Sequence, residues 1–324
     1  MFLAADIGGT KTLLALGDSQ GVSLRRRYDN DAFADPQALI AQFLSDARAA
    51  GAVAPLRATC LALAGPVANG ASRARLTNRA WAVDATTLSS HLPLGPVSLL
   101  NDFAASAAGI ATLTDGEFVT LQAGEADSGA LRLALGPGTG LGVAACLPLA
   151  TRQEIILASE GGHVGIAPAD AEQQGLLDFL RLRHSHARHV SVERIVSGTG
   201  LRDCYDYCVG AAPLESGPLS PAEVSSRALA ASDPYCVLAL DLFLAVFGSF
   251  AGDMALSFLA QGGVYLLGGI VPKVLPRLVS GPFLAAFNDK AEYRTLATAM
   301  PVHAVLAEDM ALRGALARAS ASLG

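Results

Sequence analysis

Near the amino terminus, "DIGGTKT" sets Asp6 and Ile7 ahead of Gly8, Gly9 and Thr10, with Lys11 and Thr12 following. Adjacent glycines let backbone N–H groups approach an anion with no Cβ in the way. The threonine hydroxyls and the lysine ammonium add donors, so the stretch fits a phosphate-sized group. An ordinary Gly-Gly hairpin turn uses the same residues and stands as the alternative. Further on, "LALGPGTGLGVAAC" repeats the pattern of apolar run, Gly and Thr turn and apolar run, with Gly136, Gly138, Thr139 and Gly140 in the turn. Neither stretch has P-loop spacing, and Leu141 stands where a dinucleotide fingerprint needs its third glycine. Two such cradles suit one nucleotide clamped between lobes. Asp6 could then orient Mg²⁺ through water, because that ion keeps most of its hydration; a plain turn residue is the other reading of Asp6.

A second set of residues is polar. Asn101 and Asp102 follow the apolar run "VSLL" and precede a helical pattern, so they sit at the carboxyl end of a strand, the edge where open α/β sheets bind ligands. Asp102 could equally be a helix cap. "SEGGHVG" offers Glu160 and His163 around two glycines, and "VSVERIVSGTG" offers Glu193 at the start of an expected helix. Carboxylates, an amide and an imidazole match the many hydroxyls of a sugar, each of which donates and accepts. His184, His186 and His189 lie close in sequence, but with Arg181, Arg183 and Arg188 among them they read as a solvated basic loop rather than a metal site. Cys204 and Cys208 read as buried thiols on one helix face.

The elements that must position these groups alternate. Residues 2–5 and 13–16 flank the first glycine turn as a hairpin, with Val22–Tyr28 as a third strand. A helix is expected over Asp35–Ala50, capped by Asp35 and opened by Pro36. "ATCLALAG" and "PVSLLND" are strand-length runs, the second followed by the helical "FAASAAGI", which is an α/β pattern. From about Thr112 the texture changes: strands are expected at Phe118–Leu121, Leu131–Leu135, Leu141–Cys146 and Glu154–Leu157, then mostly helix from Asp170 to Gln261. "VYLLGGIV" reads as a strand entering a turn at Gly268 and Gly269, and the C-terminal stretch as one more strand and a closing helix that returns to the first lobe.

The 324 residues exceed the size at which single cores stop growing, which favours two lobes of roughly 150 residues each. With 52% hydrophobic and 16% charged residues, the chain reads as folded rather than disordered. A formal charge of −6 gives no cationic field for a phosphate backbone, so no nucleic-acid partner is expected. Five scattered cysteines read as reduced thiols in a cytoplasm, and the short apolar start before Asp6 is no signal peptide. The apolar stretch from Cys236 is interrupted by Asp241 and Asp253, so a buried core helix rather than a membrane span is expected there.

Taken in order, "ADIGGTK", "LALAGPV", "LTNRAWAVD", "LLNDFAASAAGI", "GPGTGLGVA", "EGGHVGIAP", "VSVERIVSGTGL" and "GGVYLLGGIVP" make the chain resemble the bacterial glucokinase family nearly end to end. These are ATP-dependent enzymes on the fold shared by hexokinase, Hsp70 and actin. The resemblance implies an α/β, two-lobed actin-like ATPase (ribonuclease H-like) fold with the active site in the interlobe cleft. It implies a small domain over 1–112, completed by 304–324, and a large domain over 113–303. The expected reaction is transfer of the γ-phosphoryl group of Mg-ATP to the 6-hydroxyl of glucose. Asp6 to Thr10 and Gly136 to Gly140 would hold phosphates, and Gly268 and Gly269 would lie near the adenosine. Asn101, Asp102, Glu160, His163 and Glu193 would hold the sugar, with Asp102 as general base and lobe closure excluding water. A homodimer without membrane or nucleic-acid partners is implied.

Three positions depart from the family pattern: Lys11 stands where Asn is frequent, Thr199 replaces a usual Pro, and Glu308 stands where Asp is common. Lys11 resembles the related group of repressors and kinases, whose cysteine-rich zinc motif and DNA-binding segment ahead of the first glycine turn are not seen. A kinase for another hexose or an N-acetylated amino sugar, and a sugar sensor without turnover, are the alternatives on the same fold.

Overall fold

Strand β1 (Phe2–Ile7) has five of its six residues buried, as a strand covered on both faces must, and the remaining one, Asp6, is half-buried next to the strand's last residue. In the computed structural model, which describes residues 1–18, 21–52, 54–68, 70–149, 154–184, 188–210 and 219–322, the chain divides into two units. The first is Met1–Leu113 with Asp309–Gly324, and the second is Thr114–Glu308.

The first unit is built on a five-stranded sheet of order β3-β2-β1-β4-β7, with β2 (Lys11–Asp18), β3 (Gly21–Asp29), β4 (Ala58–Leu63) and β7 (Val97–Asn101). β1, β2 and β3 form an antiparallel meander, whereas β4 and β7 extend the sheet in parallel. A two-stranded ribbon, β5 (Arg73–Arg75) and β6 (Ala82–Asp84), lies outside it. Helix α1 (Pro36–Ala49) opens as the sequence predicts, with the Asp35 carboxylate accepting the N–H of Ala38 at 2.7 Å. Its apolar side packs with α2 (Ala85–His91) over one set of strand side chains, including Leu3, Ile7, Leu14 and Leu61. The alternate set, Phe2, Ala4, Cys60 and Ala62, packs against α3 (Asp102–Gly109) and α11 (Met310–Ala321). α3 and α11 approach so closely that a Cβ at Gly314 would run into the carbonyl oxygen of Ala105.

The second unit repeats the design. β9 (Arg132–Pro137), β10 (Leu141–Pro148) and β11 (Glu154–Ser159) form an antiparallel meander, and β12 (Val264–Leu266) and β13 (Val302–Val305) continue it in parallel. β8 (Phe118–Gln122) closes the six-stranded sheet antiparallel to β13. The expectation that the return to the first unit starts at residue 304 is therefore corrected. Ala304 and Val305 pair with Val119 and Phe118 inside the second sheet, and the return starts at Asp309.

Helices α4 (Ala171–Arg183), α5 (Gly198–Cys208), α6 (Pro221–Leu229), α8 (Val271–Ser280), α9 (Phe283–Asn288) and α10 (Arg294–Ala299) surround α7 (Pro234–Phe258). Among the described residues, α7 alone is long and apolar enough to cross a membrane, yet 67% of its most apolar stretch is buried in this unit. Its two acids are neutralised within the same unit: Asp241 pairs with Arg277 at 2.5 Å and Asp253 with Lys290 at 2.7 Å. The helix expected from Cys236 onward is thus a core element. Cys204 is buried on α5, as expected, whereas Cys208 is only half-buried. Arg183 is not part of a solvated loop; it ends α4 with ion pairs to Asp203 and the fully buried Asp206 at 2.9 and 2.7 Å. His186 lies outside the described residues.

Candidate active site

In the first unit, β1 and β2 join through Gly8, Gly9 and Thr10. The open turn is shorter than the sequence suggests, because Asp6 and Ile7 belong to β1 and Lys11 to β2. The tip is held from beneath by two residues that the sequence gives no reason to connect with it. Asn30, fully buried after β3, donates from Nδ2 to the Gly8 carbonyl at 2.8 Å and accepts the Thr12 hydroxyl at 2.7 Å. Arg79 donates to the Gly9 carbonyl at 3.3 Å, and its guanidinium stacks 4.2 Å from the centre of the Trp81 ring.

Asp6 is the penultimate residue of β1, Asn101 ends β7 and Asp102 follows it directly, with β4 between the two strands. Burial and, less strongly, the negative charge of Asp102 raise the Asp6 carboxyl to a pKa of about 6. Asp102 is not the helix cap. That place is taken by Asn101, whose Oδ1 accepts the N–H groups of Phe103 and Ala104 at 3.0 and 3.1 Å. The Asn101 amide also donates to the Gly65 carbonyl at 3.1 Å and to Asp102 Oδ1 at 3.0 Å, while Phe103 N–H donates to Asp102 Oδ1 at 2.8 Å. Asp102 is thereby the first residue of α3, its carboxylate fixed by two donors at a helix N-terminus that favours negative charge.

In the second unit, the turn between β9 and β10 is confined to Gly138, Thr139 and Gly140, because Gly136 is buried inside β9. Glu193 does not start a long helix; it sits in a short 3₁₀ turn, Val192–Arg194, ahead of α5. Its Oε2 accepts the N–H of Leu141 at 2.8 Å, and a Cβ at Gly140 would collide with this carboxylate. His163 lies in the 3₁₀ turn after β11, and its Nδ1 is 3.9 Å from Glu193 Oε1. The two turns are brought together by backbone bonds from Val192 to Val164 and from Ile166 to Val190, at 2.9 and 3.1 Å. His189 adds a ring-nitrogen contact to the His163 carbonyl oxygen at 2.8 Å. Glu160 is exposed immediately after β11, and its carbonyl accepts the His163 N–H at 2.9 Å.

Gly198 N–H, at the start of α5, donates to the Gly138 carbonyl at 2.9 Å, and Ser197 caps this helix with its hydroxyl 3.2 Å from that of Thr199. Gly268 and Gly269 follow β12. Gly268 has φ +89°, which only glycine adopts without strain, and a Cβ there would lie 2.7 Å from the Pro137 carbonyl oxygen. A Cβ at Gly138 or Gly269 would instead meet open space. The structure thus gathers Asp6, the Gly8–Thr10 tip, Asn101 and Asp102 in the first unit. It gathers the Gly138–Gly140 turn, Glu160, His163, Glu193, Gly268 and Gly269 in the second.

A glucokinase family model matches residues 3–322. The chain is 36% identical to the glucokinase of Synechocystis sp., over 99% of this chain and 98% of that protein. It is 38% identical to the glucokinase of Chromohalobacter salexigens, over 97% of this chain and 95% of that protein. The crystal structure of glucokinase from an Antarctic psychrotroph matches with a TM-score of 0.86 at 30% identity, covering 98% of each chain. The fold is that of the actin-like ATPases, which accounts for two α/β units that each begin with an antiparallel meander. Matched by that family's model over nearly its whole length and by relatives of this similarity, the chain belongs to the glucokinase family.

Proposed function

We propose that this protein transfers the γ-phosphoryl group of Mg-ATP to the 6-hydroxyl of glucose, with Asp102 as general base. The observation that carries the reading is the Asp102 carboxylate itself, held at Oδ1 by Phe103 N–H and the Asn101 amide at the carboxyl end of β7. Family membership supports the substrate and the donor.

In this reading the sugar hydroxyls are bound by Asn101 and Asp102 of the first unit and by Glu160, His163 and Glu193 of the second. Glu193 is oriented by Leu141 N–H, so the turn carrying Gly138 to Gly140 and the sugar ligand Glu193 share one hydrogen bond. Asp102 accepts the proton of the 6-hydroxyl as that oxygen attacks the γ-phosphorus. Backbone N–H groups of the Gly8–Thr10 tip and of the Gly138–Gly140 turn stabilise charge on the phosphoryl oxygens. Ile7 and Gly136 lie in the strands from which these turns project, and Gly268 and Gly269 lie near the adenosine, Gly269 leaving space beside it.

The donor set fits Mg²⁺ held through water. Asp6 is a buried carboxylate beside a second acid, Asp102, a pairing that a cation relieves. Among the described residues no three His, Cys, Asp or Glu side chains cluster as a direct-ligand cage. Once bound with ATP, the ion would offset negative charge on the β- and γ-phosphates. The free thiols Cys60, Cys146, Cys204, Cys208 and Cys236 accord with a cytoplasmic, reducing location, and a homodimer is what the resemblance implies.

A coupled assay of ADP release with Mg-ATP and a panel of hexoses and N-acetylated amino sugars tests the function. Glucose is expected to give the highest kcat/KM. Another sugar winning, or no turnover with any of them, would overturn the reading.

A further inference from the structure

We infer that Arg79 and Asn30 are positioning residues for the phosphoryl donor, fixing which way the amides of the first glycine turn point; the inference rests on the proposed role of that turn as a phosphate cradle. Three successive carbonyls of the tip are tied down on one side. Gly8 O accepts from Asn30 Nδ2 at 2.8 Å, Gly9 O from Arg79 at 3.3 Å, and Thr10 O from Asn30 N–H at 2.8 Å. In a trans peptide the N–H points opposite to the preceding C=O. Holding these three carbonyls therefore turns the N–H groups of Gly9, Thr10 and Lys11 to the other side, where an anion meets three aligned donors.

The holders are themselves fixed. Asn30 is fully buried, and its Oδ1 is occupied by the Thr12 hydroxyl. Arg79 also donates to the Asn30 carbonyl at 2.8 Å and lies over Trp81, whose Nε1 donates to the Ala34 carbonyl at 3.1 Å. The planar guanidinium suits this place because it bonds two carbonyls and stacks at once, which an ammonium does not. Its remaining partner, Asp31, has a side chain 83% exposed, so that ion pair is dispensable. The segment "LTNRAWAVD" thus acquires a role: Asn78 backs the Cα of Gly9, with an added Cβ meeting its Cβ at 3.4 Å, and Arg79 holds the next carbonyl beneath.

The test is steady-state kinetics of Arg79→Met, Arg79→Lys, Thr12→Val, Asp31→Asn and Gly9→Ala, with KM measured separately for ATP and glucose and folding checked by thermal melting. Arg79→Met is expected to raise KM for ATP about tenfold or more with KM for glucose within about twofold, and Arg79→Lys to recover part of the loss. Thr12→Val, which unties Asn30, should raise KM for ATP by roughly threefold or more, and it carries the test if Arg79→Met does not fold. Asp31→Asn should change neither KM by more than about twofold. If Gly9→Ala leaves KM for ATP unchanged, the phosphate reading of the turn fails and this inference with it. If Gly9→Ala raises it but folded Arg79→Met or Thr12→Val does not, or if these shift both KM values together, the positioning role alone is overturned.

Discussion

Asp6 near the end of β1 and Asp102 just after β7 lie on strands separated only by β4, and burial, with repulsion from Asp102 as the smaller cause, lifts the Asp6 carboxyl from its ordinary value of 3.8 to about 6. A carboxyl whose folded pKa is raised stabilises the fold fully below its unfolded pKa. That contribution is lost as pH rises from about 3.8 through about 6. At neutral pH the ionised Asp6 therefore costs the ligand-free fold as much as about 3 kcal/mol.

Asp6→Asn is accordingly expected to melt at a higher temperature than the parent at pH 7.5, with the difference shrinking toward pH 4, while kcat/KM falls steeply. Thermal melts across pH check this. A variant that is no more stable at pH 7.5 than at pH 4, relative to the parent, contradicts the strained-carboxylate account.

Asn101 and Asp102 are neighbours with separable duties. Asn101→Ala removes the cap of α3 and should cost roughly 1 kcal/mol by denaturant titration. Asp102→Asn retains the side-chain shape and the cap, so its stability should stay close to that of the parent. Equal destabilisation by the two changes would show that Asp102 is a structural residue after all.

Gly140 leaves room for the Glu193 carboxylate, so Gly140→Ala must displace it from Leu141 N–H. Losing a charged hydrogen-bonding partner is worth roughly 10- to 100-fold in binding. Gly140→Ala and Glu193→Ala should therefore raise KM for glucose by similar factors, measured at saturating ATP. A glucose KM unaffected by Gly140→Ala would detach Glu193 from the sugar.

Within α7, Gly248 lets the Phe283 carbonyl of α9 approach, and an added Cβ would overlap it. Gly248→Ala should destabilise the protein by about 1–3 kcal/mol through overpacking, despite the better helix propensity of alanine. A stabilised variant would mean that the two helices do not meet as described.

Much of this was legible because it is local. Asp35 and Pro36 announce α1, and alternating apolar runs around Gly8, Gly9 and the Gly138–Gly140 turn announce both hairpins. Adjacent candidates competed less legibly: Asn101 outcompetes Asp102 for the cap because its Oδ1 reaches two N–H groups, which spacing does not reveal. Glu193 falls in a 3₁₀ turn because its segment pairs with the strand-like stretch around Val164 before α5 can begin. Residues 304 and 305 read as part of the closing segment, but only the pairing of β13 with β12 and β8 decides which sheet they join. The link of Asn30 and Arg79 to the first glycine turn was invisible, although Arg79 stands in "LTNRAWAVD", since they reach Gly8 and Gly9 across 22 and 70 positions of sequence.

The most direct test of the central claim compares wild type and Asp102→Asn for glucose binding by calorimetry and for kcat with Mg-ATP. The account predicts that the variant still binds glucose while kcat falls by roughly 10²- to 10⁴-fold, the contribution of a general base. A variant that binds glucose and turns over at the parent rate would contradict it, because the proton of the 6-hydroxyl would then leave without Asp102.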